Sequence, residues 1–348
     1  MDLYHQEIDR IAKMNLPWEL LRGKTMMLSG ATGMVGKSII DLIMHYNEGV
    51  NNQDEEIRVI ALSRSEDKAK ERLALYWDRS SFVYKACDVN IEIPECGNVD
   101  YIIHAASNTH PLQYSMDSIG TITSNIIGNK NLLDYAVTHK TRQFCFVSSV
   151  EVYGENRGDV EKFDEKYLGY IDCNTLRAGY PESKRLGETL CNAYKQTYGL
   201  DFVVPRLSRC YGPTMLLSDT KAISQFIKKA VAGEDIVLKS DGTQMYSYTF
   251  VTDAVSAILQ IMLCASSGEA YNVADKESDI ALKDLAGYLA AAAGVKVIFE
   301  LPDEAEKRGY STATKAMLNS DKLEMLGWEA RVHMQEGLKC TIEMLQNM

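Results

Sequence analysis

The octapeptide Ser29-Gly30-Ala31-Thr32-Gly33-Met34-Val35-Gly36 constrains this chain more than any other segment. It follows directly on the apolar run Thr25–Ser29 and opens an amphipathic stretch, so it reads as a strand, a glycine turn and a helix start. Glycines at such a turn let the backbone approach a pyrophosphate, and the exposed N–H groups at the helix start favour its charge. The spacing is Gly-x-x-Gly-x-x-Gly, where the dehydrogenase fingerprint is Gly-x-Gly-x-x-Gly. Gly30, Thr32, Gly33, Met34, Val35 and Gly36 are therefore expected against a dinucleotide.

The pattern around this turn is that of a parallel sheet. Short β-branched runs at 25–29, 57–62, 82–87, 99–104 and 144–148 alternate with helical patterns that start near Gly33, Glu66 and Ser118, which is the βαβ signature. A helix near Pro181, a strand at 202–206 and a helix at 222–232 continue it. Shorter segments follow at 236–239, 248–251 and 270–273. The expected architecture is α/β: a Rossmann-type doubly wound parallel sheet over 24–210, and a smaller C-terminal α/β substrate lobe over 211–348, interleaved with the end of the sheet. Residues 1–23 read as a helical extension, with a helix at 3–14 and a turn at Pro17.

Further cofactor residues follow from strand ends. The second strand ends in Ser63-Arg64, where an acidic residue would normally hold the ribose hydroxyls of NAD; a guanidinium there suits a 2′-phosphate, so NAD(P) is expected with a lean to NADP, NAD remaining open. Asp88 and Val89 end the third strand beside the adenine. His104, Ala105 and Ala106 end the fourth, with small residues that let the cofactor lie against the backbone.

The chemistry is carried by Ser148-Ser149 at the end of the fifth strand and by Tyr180-Pro181-Glu182-Ser183-Lys184. Tyr180 and Lys184, four apart, share one helical face. A lysine ammonium near a phenol favours the phenolate, which can take a hydroxyl proton while hydride leaves for a nicotinamide. Ser149 would hold the same substrate oxygen.

Composition removes other classes. A net charge of −11 argues against a nucleic-acid surface, no run approaches the ~20 apolar residues of a membrane span, and the N-terminus lacks a signal-peptide pattern, so a cytoplasmic protein is expected. The eight cysteines and six histidines show no ligand spacing, and no metal site is expected.

The 30–36 turn, His104-Ala105-Ala106, Asn125, Ser149, Tyr180/Lys184, Tyr211-Gly212-Pro213 and the stretch from Lys322 to Trp328 together resemble the extended short-chain dehydrogenase/reductases that act on nucleotide sugars as epimerases, dehydratases and decarboxylases. The resemblance implies a recycled cofactor, a nucleotide-sugar substrate and a homodimer formed through helices flanking the tyrosine. It places Ser107, Asn125, Ser148 and Pro205 with Tyr180 and Lys184 at the cofactor, and Ser107 and Tyr246 at the substrate. Two stretches, His104 through Tyr114 to Gly128 and Glu165 through Arg177 to Arg185, are similar to UDP-glucuronate decarboxylases. The catalytic positions depart from that branch: Ser149-Val150-Glu151 replaces Thr/Ser-Ser-Glu, and Tyr246 stands where those relatives carry arginine.

Two residues stay open. Glu151 is either a base at C5 of an oxidised sugar or a polar residue tuning the pocket. Arg209 either binds a phosphate or substrate carboxylate, offsetting the arginine missing at Tyr246, or makes an ion pair. Arg177 and Arg185 read as structural salt bridges, and His110 as part of the substrate loop. The expected function is reversible oxidation at C4 of a nucleotide-linked sugar with 4-epimerisation as outcome; the alternatives are decarboxylation, then 4,6-dehydration. The rivals are a non-catalytic dinucleotide sensor and a reductase that releases its cofactor each turnover.

Overall fold

The computed structural model describes residues 1–109, 116–300 and 314–347. In chain order, α1 (Leu3–Ala12) precedes β1 (Thr25–Ser29), α2 (Met34–Glu48), β2 (Arg58–Ser63), α3 (Glu66–Arg72), β3 (Phe82–Ala86), β4 (Tyr101–His104), α4 (Ser118–Thr138), β5 (Gln143–Phe146), β6 (Ser148–Ser149), α5 (Gly179–Tyr198) and β7 (Phe202–Leu207). There follow β8 (Arg209–Tyr211), α6 (Ala222–Ala232), β9 (Ile236–Leu238), β10 (Met245–Phe250), α7 (Val251–Cys264), β11 (Glu269–Val273), β12 (Asp279–Ala281), α8 (Leu282–Ala293), β13 (Val297–Phe299), β14 (Lys315–Ala316), α9 (Asp321–Glu324) and α10 (Met334–Gln346).

The large sheet runs β11-β7-β5-β4-β1-β2-β3, with β6 also on β7, and every pairing in it is parallel. A parallel sheet is covered on both faces, so its strands are apolar throughout rather than alternating. Met26 and Leu28 of β1 join one apolar cluster and Met27 the other, which is the two-residue period of a strand sorting side chains to opposite faces. Strand order reverses at β1, flanked by β2 and β4, and in such sheets the crevice at the carboxyl ends of these strands is where ligands bind.

Most elements lie where the pattern places them. The run at 144–148 is split into β5 and β6, and Pro205 supplies a reason: it has no N–H to give, and it lies between the registers Cys145↔Val203 and Ser148↔Arg206. The segment expected as a strand at 248–251 is the end of β10, and Val251 already opens α7. The small sheet, β12-β10-β14 with β8 on β10, begins at Arg209, while β11 returns to the large sheet. In the N-terminal extension, Asp2 caps α1 by accepting from the His5 N–H. The buried face of α1 carries Tyr4, whose hydroxyl donates to Asp41 of α2 at 2.5 Å.

Candidate active site

The glycine turn stands between the end of β1 and the start of α2. Gly30 has φ +76°, and a Cβ there would lie 2.7 Å from the backbone of Ala105 and Ala106; a Cβ on Gly36 would lie 2.2 Å from the Gly30 carbonyl oxygen. Both positions thus exclude a side chain, one by conformation and both by space. Gly33 caps α2 with no side-chain hydrogen bond, so the first N–H groups of α2 are left for an outside acceptor.

From this turn a cleft of about 800 Å³ runs along the carboxyl ends of the strands to the small sheet. It is lined by Gly30, Gly33, Met34, Val35, Gly36, Ala105, Ser107, Ser148, Ser149, Glu151, Tyr180, Lys184, Arg209 and Tyr246, all expected from the sequence. The Ser107 hydroxyl is buried with no partner among the described residues, and a buried hydroxyl in a cleft wall is placed to bond a ligand. A shape-excluding glycine turn, an open helix start and an orphaned hydroxyl fit a dinucleotide.

Other expected cofactor residues are placed differently. The His104 ring is fully buried, bonded through Nδ1 to the Ser29 hydroxyl at 2.7 Å and packed on Phe146; burial pushes it down to about 3, with Lys184 acting in the same sense, so it is a neutral interior group. Asn125 is buried between α4 and α5, donating to the Thr121 carbonyl at 3.2 Å and to the Ser183 hydroxyl at 2.9 Å. Asp88 accepts from the Asn90 N–H, Val89 packs on Gly128, Pro205 is buried in β7, and Ser63 bonds Tyr84 while Arg64 is exposed. Thr32 and Ala106 are half-buried at the turn. His110 and Tyr114 lie outside the described residues.

Ser149, Tyr180 and Lys184 converge across two elements. Tyr180 and Lys184 stand one turn apart on α5, which tolerates Pro181 because a proline in a first turn forfeits no helical bond. Burial pushes the Tyr180 phenol well above its usual range; a hydrogen bond with Ser149 works against that rise and the charge of Glu151 adds to it. Lys184 Nζ donates to the Val147 carbonyl at 2.8 Å and lies 4.6 Å from the centre of the Phe146 ring. Burial pushes this ammonium down to about 7, partly opposed by Glu188 and Cys191. The unfolded chain therefore holds that proton more tightly than the folded one between about 7 and 10.5. The cost of burying it is complete below 7 and vanishes above 10.5. Lys184→Met, nearly isosteric, is expected to raise stability by a few kcal/mol at pH 6 and little at pH 10, since each tenfold difference in proton affinity is worth roughly 1.4 kcal/mol. Urea unfolding at the two pH values checks this, and a gain independent of pH would contradict it.

Beyond the tyrosine, three charged side chains from separate elements meet. Glu151 faces Arg177 Nη2 at 3.4 Å and Arg209 Nη2 at 3.7 Å. The guanidinium carbon of Arg209 lies over the Tyr246 ring, 3.5 Å from its centre. The register Tyr248↔Arg209 between β10 and β8 makes these two diagonal neighbours. Arg177 thus pairs across the cleft wall with Glu151, whereas Arg185 binds the Val152 and Gly169 carbonyls as structure.

The sequence reading missed the support beneath Ser148. Its hydroxyl donates to Glu188 at 2.6 Å, Glu188 takes a two-pronged pair from Arg206 at 3.0 and 2.6 Å, and Arg206 donates to the Tyr153 hydroxyl and the Glu165 carbonyl. The available signal was Glu188, one turn past Lys184 on the same face. Lys221, Lys229 and Lys239, which also line the cleft, were missed as well.

A model of the NAD dependent epimerase/dehydratase family matches residues 26–274. The chain belongs to this family. It is an enzyme of the nucleotide-sugar epimerase, dehydratase and decarboxylase kind. It is 28% identical over 317 residues to UDP-glucuronic acid decarboxylase 5 of Arabidopsis thaliana, covering 90% of this chain and 86% of that one. It is 28% identical over 321 residues to UDP-glucuronic acid decarboxylase 1 of Xenopus tropicalis, covering 92% and 71%. In fold it is similar to the UDP-glucose 4-epimerase of Thermotoga maritima solved with UDP-glucose, at TM-score 0.79 and 22% identity over 93% of this chain and 99% of that one. It is also similar to the UDP-glucuronic acid 4-epimerase of Bacillus cereus solved with UDP-glucuronic acid and NAD, at 0.78 and 18% over 93% and 99%. Family membership makes the reaction NAD-type, and among the described residues no helix is long and apolar enough to cross a membrane.

Proposed function

We propose that this enzyme oxidises and re-reduces C4 of a nucleotide-linked sugar, with 4-epimerisation as the net reaction. The observation that carries the reading is that one cleft joins the glycine turn at one end to Ser149, Tyr180 and Lys184 further along. Ser149 holds the C4 oxygen. Tyr180 takes the hydroxyl proton and later returns it, and Lys184 is the cation on its helix face that lowers the cost of a phenolate in so dry a place. A nicotinamide held in the cleft would supply the acceptor and donor for the C4 hydride. Between the two transfers the sugar is a C4 ketone, and a cleft of this volume leaves room for it to present its other face. Gly30, Gly33 and the start of α2 would hold the pyrophosphate, with Ser107 beside it.

The named relatives favour one second reading, loss of carbon dioxide from a uronic acid; Tyr246, where the resemblance to decarboxylases leads one to expect arginine, weighs against it. For the cofactor we favour NADP. Arg64 makes no ion pair among the described residues, and it stands at four-residue spacing from Lys68 and Arg72. Burial, then the nearby charges of Arg72 and Arg64, lowers the Lys68 ammonium. Three cations that repel one another suit a phosphate. Two copies would pair through α4 and α5, whose outer faces expose Ile119, Ile127 and Leu186.

Purified enzyme incubated with UDP-, dTDP-, GDP- and CDP-sugars, uronic acids included, and followed by mass spectrometry and proton NMR should give a product of unchanged mass with C4 inverted. Loss of 44 or 18 mass units, roughly carbon dioxide or water, would replace this with decarboxylation or dehydration. In binding measurements NADP should hold about tenfold more tightly than NAD, with the margin gone in Arg64→Ala; the opposite order would refute the NADP assignment.

A further inference from the structure

Glu151, Arg177 and Arg209 form one wall of the cleft. A carboxylate belonging to the protein already sits between two guanidinium groups, at 3.4 and 3.7 Å, in a partly buried part of the cleft. The seat is rigid on one side, because Arg209 is stacked on Tyr246, itself buried. The cluster also lies at the reacting end of the cleft: the charge of Glu151 reaches the Tyr180 phenol, and the Glu151 N–H donates to the Ser149 hydroxyl oxygen at 3.3 Å. A sugar whose C4 oxygen rests on Ser149 and Tyr180 has C3 and C5 as the adjoining ring carbons; only C5 carries an exocyclic carbon, which reaches farther than the C3 hydroxyl and is the group assigned to this wall.

We propose that Glu151 is the resident occupant of a carboxylate seat built by Arg177 and Arg209, and that it makes the enzyme select sugars with an uncharged C5 substituent over uronic acids. This rests on the reading of the cleft as a C4-oxidising sugar-nucleotide site. Two guanidinium groups are the natural receptor for a planar carboxylate. Because Glu151 is tethered beside them, its effective concentration exceeds that of any free substrate carboxylate. A uronate must either displace it or lie against it, and like charges juxtaposed where water is scarce are strongly disfavoured. A hydroxymethyl group meets neither obstacle. Its hydroxyl can donate to Glu151 and accept from Arg209 Nη1, which is buried without a partner among the described residues.

The test is calorimetric binding of two matched pairs, UDP-glucose with UDP-glucuronic acid and dTDP-glucose with dTDP-glucuronic acid, to the cofactor-loaded enzyme. UDP and dTDP alone serve as references. The unaltered enzyme should bind the neutral member about tenfold or more tightly than its acidic partner. Glu151→Ala vacates the seat and should improve the acidic member by about tenfold while the neutral one weakens, reversing the order. Glu151→Gln, which keeps the shape and loses the charge, should move in the same direction by less. Circular dichroism of each variant shows that it is folded, and a gain in affinity cannot come from misfolding. Preference of the unaltered enzyme for the uronate, or no gain in Glu151→Ala, overturns the inference while leaving the C4 reading in place. Binding of neither pair beyond the bare nucleotides overturns both.

Discussion

Tyr180→Phe is expected to reduce turnover by about 10²–10⁴-fold, the range by which a positioned proton-transfer group accelerates a reaction. The ring is buried and the variant removes only its oxygen, so the packing of α5 is kept. What goes is the hydrogen bond with Ser149 and, in the proposed reaction, the acceptor of the C4 proton. Without that acceptor, hydride departure would leave a protonated, cationic carbonyl. Dinucleotide affinity, which the proposed function assigns to the Gly30 turn and the start of α2, should change by less than about threefold, which is under 1 kcal/mol. The measurement is kcat on the sugar nucleotide identified in the substrate panel, alongside cofactor titration by fluorescence. A variant retaining a tenth of the activity would remove Tyr180 from the proton path.

Arg206→Ala is expected to cost about 3–5 kcal/mol of stability, the usual consequence of removing one partner of a buried ion pair. Side-chain exposure of both Arg206 and Glu188 is 12%, low enough that water cannot replace what is lost. Glu188 would be left with the Ser148 hydroxyl as its hydrogen-bonded partner, and Tyr153 and the Glu165 carbonyl would each lose a donor. Tyr153 also donates to Asn272 at 2.5 Å, so the network ties β7, the loop after β6 and β11 together. Chemical denaturation should show the loss. The double variant Arg206→Met/Glu188→Leu should recover a good part of it, since an apolar pair leaves no stranded charge. A loss below about 1 kcal/mol in the single variant would mean that the pair is solvated and not structural.

The parts of the site that the sequence announced are those written in one short stretch. The turn from Gly30 to Gly36 carries its own reason, because backbone approach needs missing side chains, and the four-residue step from Tyr180 to Lys184 puts both on one helical face. His104 shows the limit. The end of β4 borders the cleft through Ala105, but strand alternation sends the His104 side chain inward to Ser29 and Phe146, where it is a core group. Asn125 likewise belongs to the seam between two helices.

Alternating strand and helix patterns determined a parallel sheet with a glycine turn at the end of its first strand, since hydrophobic period and glycine spacing are local properties of the chain. The meeting of Glu151, Arg177, Arg209 and Tyr246 was decided only by the tertiary structure. These residues come from the loop after β6, the turn before α5, β8 and β10, and nothing in their spacing encodes proximity. Whether each charge is a base, an anion receptor or a neutralised pair depends on which charges stand within a few ångströms of it, and that is fixed by packing the small sheet against the large one. The same holds for Arg206, whose partners Glu188, Tyr153 and Glu165 are brought to it by three different loops and helices.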